Sequence, residues 1–462
     1  MSAAAAAAGR DDAVFTRGST LRHVVVMSST GAVGLLAIFA VDLLSLLYIS
    51  WLKDVNITAG VGFATTVGFF AMSVNIGLVI AVSAVVSRAL GARDRAHARR
   101  LAASALAHSA VVSALVAVLM MASMHLLLQE LGAAGQARDV AVRFLTISMP
   151  SNVLMGLGMA FSGVLRAAGD ARRGMFVTLS GGLVTAIVDP LLIFGAGLGA
   201  DGAAWAVVLS RVTFCIVGYR AAVRVHDLVA PFDLRAVLED VWPVARIAAP
   251  AIATNLATPV ANGFMTSVIA PFGESAVAAN AIMMRLAPVA FAAVFALTGA
   301  VGPIFGQNLG ARLYDRVRRT LTDGLVFTLT SVLVAWAALF WARDGIIFVF
   351  AAKGETAELV RFFCTVLAGS WMFHGALYVA NSAFNNLGFP LLATAFNWGK
   401  ATLGTIPFAM AGARLGGPEG ALLGQAAGAV LFGLGGVWAA YAQVGRLARK
   451  AERAPADAVA TA

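Results

Sequence analysis

Charge is what this chain has least of. Only 12% of its 462 residues are Asp, Glu, Lys or Arg, where soluble domains carry about 25%. So little charge cannot cover a water-facing surface of this size. With 60% hydrophobic residues and a mean hydropathy of +0.86, the composition excludes a soluble globular protein. Cysteine is scarce too: Cys215 and Cys364 both fall in apolar stretches, which excludes a disulfide framework or a Cys-rich metal site. Neither an Asp-rich Mg²⁺ motif nor a His-Glu-x-x-His zinc motif is present. An intramembrane prenyl transferase or metalloprotease would therefore lack its machinery, and neither an enzyme nor a cofactor is expected. A signal peptide is not evident, because the first long apolar stretch exceeds an h-region. The net charge of +10 reads as basic loops of a membrane protein rather than as a nucleic-acid surface.

Long apolar runs are plentiful. A membrane-crossing helix needs about 20 mainly apolar residues. Twelve stretches qualify: 24–52, 58–86, 101–128, 141–165, 174–198, 202–223, 246–271, 276–305, 321–342, 357–384, 389–413 and 418–444. Landmarks within them recur. Leu90-Gly91-Ala92-Arg93, five residues, then Arg99-Arg100 is matched by Leu309-Gly310-Ala311-Arg312, five residues, then Arg318-Arg319, an offset of 219. Gly169 and Gly388 share that offset, and Leu198-Gly199 and Leu415-Gly416 stand 217 apart. Ordered landmarks at nearly one spacing indicate an internal duplication, six spans per repeat, with parallel repeats related by a pseudo-two-fold along the membrane normal. The expected fold is all-α and integral to the membrane, with twelve transmembrane helices in two six-helix lobes.

The expected divisions are a disordered N-terminus at 1–20, an N-lobe at 21–223, a linker at 224–245, a C-lobe at 246–446 and a disordered C-terminus at 447–462. The linker stretch from Asp233 to Val244 reads as a short amphipathic helix at the interface. About 24 basic residues fall on one side of the twelve spans, in the loops after spans 2, 4, 6 and 8 and at the termini. Five fall on the other: Lys53, Arg138, Arg343, Lys353 and Arg414. This bias puts both termini of a multi-pass cell-membrane protein in the cytoplasm.

Ionisable residues inside the membrane are costly, and each is a functional hypothesis. Asp42 in span 1 and Asp189 in span 5 lie about 30 and 24 Å along their helices at 1.5 Å per residue. Two carboxylates sharing an apolar pocket cannot both ionise cheaply, so one is expected to hold a proton. They suit a proton-coupled carrier, or a sodium site completed by other oxygens. Alternatively, Asp189 caps a helix break and Asp42 meets outer headgroups. Pro190 deprives the Ala186 carbonyl of its donor and bends the helix. Repeat alignment matches Pro190 with Pro407 but sets Ile406 opposite Asp189 and Ala261 or Asn262 near Asp42. The acids are confined to one repeat, which points to a single coupling site. Thr185, one turn before Asp189, joins Asn75, Asn152 and Ser162 as candidate N-lobe cavity residues. Asn255, Asn262, Arg285, Asn381 and Lys400 are candidates for a C-lobe substrate cavity. His374 reads as a hydrogen-bonded core residue or a proton relay.

Three motifs now carry a resemblance: Ser162-Gly163-Val164-Leu165-Arg166-Ala167-Ala168-Gly169-Asp170, Asp189-Pro190-Leu191-Leu192-Ile193-Phe194-Gly195, and Leu198-Gly199-Ala200-Asp201-Gly202-Ala203-Ala204-Trp205-Ala206. With Gly306-Gln307-Asn308-Leu309-Gly310-Ala311, they resemble multidrug and toxic compound extrusion (MATE) transporters over about residues 24–445, notably the DinF-like prokaryotic branch. The resemblance implies a V-shaped twelve-helix bundle that exports small organic, often cationic, compounds in exchange for protons or sodium. It implies that Asp42 and Asp189 are the N-lobe cation site. Thr185 stands where the family often has Asn, Val207 where some members have Thr, and span 7 lacks a carboxylate. These departures weaken the sodium case. A lipid-linked sugar flippase of the same superfamily is the alternative, hinted at by Lys400 and Arg285. A major-facilitator carrier is disfavoured, since the loop after span 2 lacks an Asp-Arg-x-Gly-Arg-type motif. A channel is separable only by a coupling measurement. The chain is read as a monomer whose partners are its substrate and membrane lipid.

Overall fold

The computed structural model describes residues 13–460, with side chains to Arg453. Among the described residues it is helical without strands. The first repeat holds α1 (Thr20–Ser50), α2 (Val55–Gly91), α3 (Arg95–Glu130), α4 (Gly135–Ser148 and Asn152–Ala167), α5 (Ala171–Pro190) and α6 (Gly199–Tyr219). The second holds α7 (Val241–Ile269), α8 (Glu274–Ala290, Ala292–Ala300 and Gly302–Gly310), α9 (Tyr314–Val349) and α10 (Gly354–Thr365 and Trp371–Leu387). It ends with α11 (Pro390–Gly399, then 406–415) and α12 (418–460), divided by non-helical backbone at Gly416 and Gly417. A helix occupies each of the twelve expected stretches, with ends moved by up to eight residues except at α12, which runs on to 460.

The duplication is written in the backbone. Arg93 and Arg312, the matched arginines, both adopt left-handed conformations, at φ 61° and 58°. Few non-glycine residues do so without a structural reason. Gly169 and Gly388 also match, at φ 86° and 92°, where glycine avoids the Cβ clash. The repeats differ at their prolines. In the first, a π turn at Leu191–Gly195 directly follows Pro190. In the second, the π turn at Lys400–Gly404 precedes Pro407. α11 and α12 approach along small residues: a Cβ on Gly412 would lie 1.9 Å from the Gly420 carbonyl oxygen.

The chain divides into two compact units, one of 33–90 with 94–255, the other of residues up to 32, 91–93 and 256–462. The N-terminal segment falls in the second of these units. Phe15 is 2% exposed, its N–H donates to Gln307 Oε1 at 2.8 Å, and Arg316 donates to the Phe15 carbonyl at 2.7 Å. Thr20 donates to Asp323. Residues 13–20 are therefore held in place, contrary to the expected disorder. At the other end, 447–453 continue α12 as helix. The disorder expected for 1–12 and 461–462 lies outside the described residues.

The linker is more firmly held than its composition suggests. Its helix is short, Leu234–Glu239, and it exposes Phe232, Leu238 and Trp242 as an interfacial element would. Its acids meet the arginines at the start of α3. Arg100 pairs with Glu239 at 2.7 Å and with buried Asp240 at 3.2 Å. Arg99 pairs with Asp227 at 2.7 Å, and Ser104 donates to Asp240 at 2.7 Å. The hydrogen bond from Arg100, followed by that from Arg235, holds the Glu239 carboxyl below its usual range. Arginines read as topology signals thus also fasten the linker.

Candidate functional site

Asp189 is 1% exposed, at the last turn of α5, where Pro190 interrupts the helix and the π turn begins. The Ser45 hydroxyl of α1 donates to its carboxylate. A buried carboxylate needs such a donor, since no water replaces it there. Asp42 stands one turn before Ser45 on the same helical face. Its side chain is exposed and makes no hydrogen bond or ion pair among the described residues. Both acids therefore address one stretch of α1, but only Asp189 is enclosed. The expected shared pocket is narrowed to Asp189, Ser45 and an open Asp42. The spacing from Asp42 to Ser45 is a signal that could have marked the serine from sequence.

Thr185 is buried beside Asp189 on the same face. Its hydroxyl donates to the Gly181 carbonyl at 3.2 Å, not to the carboxylate. Asn75 and Asn152 are each 1% exposed and form a closed ring with Ser113. Asn75 donates to Asn152 at 3.0 Å, Asn152 to the Ser113 carbonyl at 2.9 Å, and Ser113 to Asn75 at 2.8 Å. This ring ties α2, α3 and α4 together and has no hydrogen bond to Asp189. Ser162 donates to the Gly174 carbonyl at 3.1 Å, 15 residues along α5 from Asp189, or about 22 Å at 1.5 Å per residue. It links α4 to α5 at their arginine-rich ends.

Arg211 lies twelve residues into α6. Its guanidinium donates to the Ser148 carbonyl at 2.7 Å and to Ser151 Oγ at 2.9 Å. These are the groups freed where α4 breaks at Met149–Ser151, so the arginine caps a helix end inside the bundle.

Among the described residues, no hydrogen bond or ion pair joins the second repeat's candidates to one another. Asn255 donates back to the Ala251 carbonyl at 2.8 Å. Arg285 is exposed on α8, and Asn262 on α7 is half-buried. Asn381 on α10 is 8% exposed, and Lys400 opens the π turn of α11. Near the arginine-rich end, Asp170 caps α5 and gathers Arg173 at 2.5 Å and His226 at 2.8 Å. Burial pushes its carboxyl upward, but those bonds and the backbone N–H of Arg173 outweigh it and hold the group well below its ordinary range. Among the described residues, no group of three His, Cys, Asp or Glu side chains could hold a metal.

The MatE family model matches residues 32–191 and again 250–410, two stretches that start 218 residues apart, as the duplication requires. The chain is 27% identical over 420 residues to the FAD transporter of Shewanella oneidensis, covering 89% of this chain and 92% of that protein. It is 21% identical over 370 residues to the multidrug export protein MepA of Staphylococcus aureus, covering 78% and 80%. Its fold is similar to that of the Vibrio cholerae MATE transporter VcmN in its bent form, with a TM-score of 0.84, 24% identity, and 93% and 97% of the two chains covered. It is also similar to a MOP superfamily transporter of Pyrococcus furiosus, with a TM-score of 0.87, 20% identity, and 94% and 98% covered. The twelve-helix architecture and the double family match agree: the chain belongs to the MatE family of membrane transporters, the multidrug and toxic compound extrusion proteins.

Proposed function

We propose that this transporter is a secondary active antiporter that exports small organic compounds by alternating access, in exchange for protons entering through Asp189 and Asp42. The arginine bias supports a cytoplasmic location for both termini. The observation that carries the reading is the enclosed Asp189 carboxylate held by a hydroxyl of a different helix. While ionised, it makes a charge-assisted bond that ties α1 to α5. Once protonated, it makes only a neutral one, about half as strong. Loading a proton thus loosens the link beside Pro190 and the π turn, where the backbone already departs from a regular helix. Exposed Asp42 is the entry acid, one turn from Ser45. Sodium is the weaker choice, since it needs several oxygen ligands and the Thr185 hydroxyl is directed to its own helix.

Efflux of ethidium from cells lacking their own pumps tests this, comparing wild type with Asp189→Asn at matched expression, with and without a protonophore. Efflux abolished both by the substitution and by the protonophore supports proton-coupled export through Asp189. Efflux that survives Asp189→Asn refutes the assignment. The relative named for FAD favours a second reading of the cargo, a soluble metabolite such as a flavin dinucleotide rather than a drug. FAD export without ethidium export would select it. Export of neither would favour a lipid flippase.

A further inference from the structure

We propose that the linker and the arginine-rich end of α3 form a binding site for a membrane glycerophospholipid whose headgroup joins a phosphate to a primary amine. Arg100 and Arg235 receive the phosphate, Asp233 and Glu239 the ammonium, and a trough of alanines along α3 one acyl chain. All of these residues belong to one compact unit. Such a ligand is distinct from the cargo and from the coupling ion.

Two clefts run into one another here. The first, of about 490 Å³, lies beside the linker helix and is lined by Arg100, Asp233, Arg235 and Glu239. The second, of about 420 Å³, is lined by apolar side chains, among them Ala107, Ala110, Leu157 and Phe232. Ala103 and Ala230 line both, so the two are continuous. Ala103, Ala107 and Ala110 are spaced four and three apart and share one face of α3. Their small side chains form the floor of a trough between Leu157 of α4 and Phe232 of the linker. The walls are fastened. The Ala230 N–H donates to the Arg99 carbonyl at 3.1 Å, and the His108 ring donates to the Val237 carbonyl at 2.9 Å.

The order of polarity along α3 is that of a lipid standing in a bilayer. Arg95, Arg99 and Arg100 open the helix and an apolar run follows from Leu101, so headgroups give way to hydrocarbon near Arg100. The charged cleft lies at that boundary. The trough extends from it over the seven residues from Ala103 to Ala110, about 10 Å at 1.5 Å per residue. Beyond the trough, α3 exposes Val111, Leu115 and Val118. An apolar trough that opens onto hydrocarbon takes an acyl chain, since a soluble ligand has no apolar path to it from water. Phe232, Leu234, Leu238 and Trp242 of the linker are exposed as well, as on an element lying in the interface.

The donors and acceptors at the charged end fix the headgroup. Arg235 Nε donates to Glu239 at 3.1 Å, but the side chain is 89% exposed, and its two terminal nitrogens have no partner among the described residues. They leave a planar fork for two phosphate oxygens. Arg100 adds positive charge beside it, bound to the same Glu239. On the acceptor side, Asp233 Oδ1 takes the backbone N–H of Arg235 at 3.0 Å, and its Oδ2 has no partner among the described residues. Each Glu239 oxygen accepts from one arginine and keeps a further lone pair. A primary ammonium has three N–H groups for such acceptors. An anionic headgroup would meet Asp233 and Glu239 with like charge, and a trimethylated amine has no N–H to give them. A phosphate joined to a primary amine matches both sides of the cleft.

The test is lipid binding to purified full-length protein in detergent, read by native mass spectrometry. The probes are dioleoyl phosphatidylethanolamine, phosphatidylcholine and phosphatidylglycerol, which share acyl chains and differ in headgroup. Wild type is expected to bind the ethanolamine lipid about tenfold more tightly than either of the others, the difference that one charge-assisted hydrogen bond makes. Arg235→Gln, which gives up only an exposed ion pair within the protein, is expected to lower that affinity about tenfold for the same reason. Ala107→Phe fills the trough and is expected to weaken all three lipids. Equal affinity for the three lipids, a preference for either of the other two, or affinity unchanged in folded Arg235→Gln protein would overturn the site. Displacement of the lipid by an equal concentration of glycerophosphoethanolamine would overturn it too, because the headgroup would then bind without the trough. A wild-type dimer that Ala107→Phe dissolves would do the same, by assigning the trough to a second copy of the chain.

Discussion

Replacing Ser45 by alanine while Asp189 is varied isolates the bond that joins α1 to α5. Asp189 is 1% exposed, so water cannot stand in for the missing hydroxyl. A hydrogen bond to a charged group contributes about 1.5–3 kcal/mol, a neutral one about 0.5–1.5 kcal/mol. Asp189→Asn keeps the shape and retains a neutral bond to Ser45. The double-mutant cycle of Ser45→Ala and Asp189→Asn should therefore give an interaction of about 1 kcal/mol, the difference between the two kinds of bond. The assay is reversible denaturant unfolding of purified protein in detergent, at mildly alkaline and at mildly acidic pH. The interaction should be present in the alkaline measurement and fade once the carboxyl is protonated, because both partners are then neutral. Effects that add within about 0.5 kcal/mol at both pH values, as independent sites do, would refute the direct bond and with it the proposed proton-sensitive tie. The same single variants should slow efflux, and Ser45→Ala should do so less than Asp189→Asn, because the acid itself remains.

Three further outcomes follow from the geometry. Asp170→Asn removes the pairs with Arg173 and His226 while keeping a capping residue, and should lower stability by about 1–2 kcal/mol near neutral pH. The Asp170 carboxyl is held below its ordinary value of 3.8, so its contribution is present above about pH 4 and is lost as pH falls further. The gap between wild type and variant in a thermal-melt series should close only in that acid range. Arg211→Met removes one of the two donors to the Ser148 carbonyl, leaving Ser151 Oγ, and should cost about 1–2 kcal/mol. A melting temperature equal to or above wild type would refute the capping role. Gly412→Leu forces α11 from α12, since even a Cβ there would lie 1.9 Å from the Gly420 carbonyl oxygen. It should abolish folded protein in size-exclusion profiles, whereas Gly263→Ala, with nothing within 4 Å of an added Cβ, should match wild type.

The sequence alone determined the membrane class, the twelve spans and the duplication, because these rest on one-dimensional quantities. Apolar run length counts residues against bilayer thickness, and a repeat is an offset along the chain. The matched left-handed Arg93 and Arg312 show that the offset also captured local backbone geometry. Asp42 and Asp189 were legible for a related reason, as acids within apolar runs. Their surroundings were not, because a helical segment says which residues share a face but not which face meets another helix. Packing made Ser45 the partner of Asp189, directed Thr185 to its own backbone and enclosed one acid while leaving the other open. Packing also made Arg211 a helix cap, and drew 13–20 onto Gln307, Arg316 and Asp323, about 300 residues away along the chain. Such pairings follow from where buried polar groups find partners in three dimensions. Sequence spacing cannot supply that, since residues far apart in the chain compete for each buried donor and acceptor and only the folded bundle decides between them.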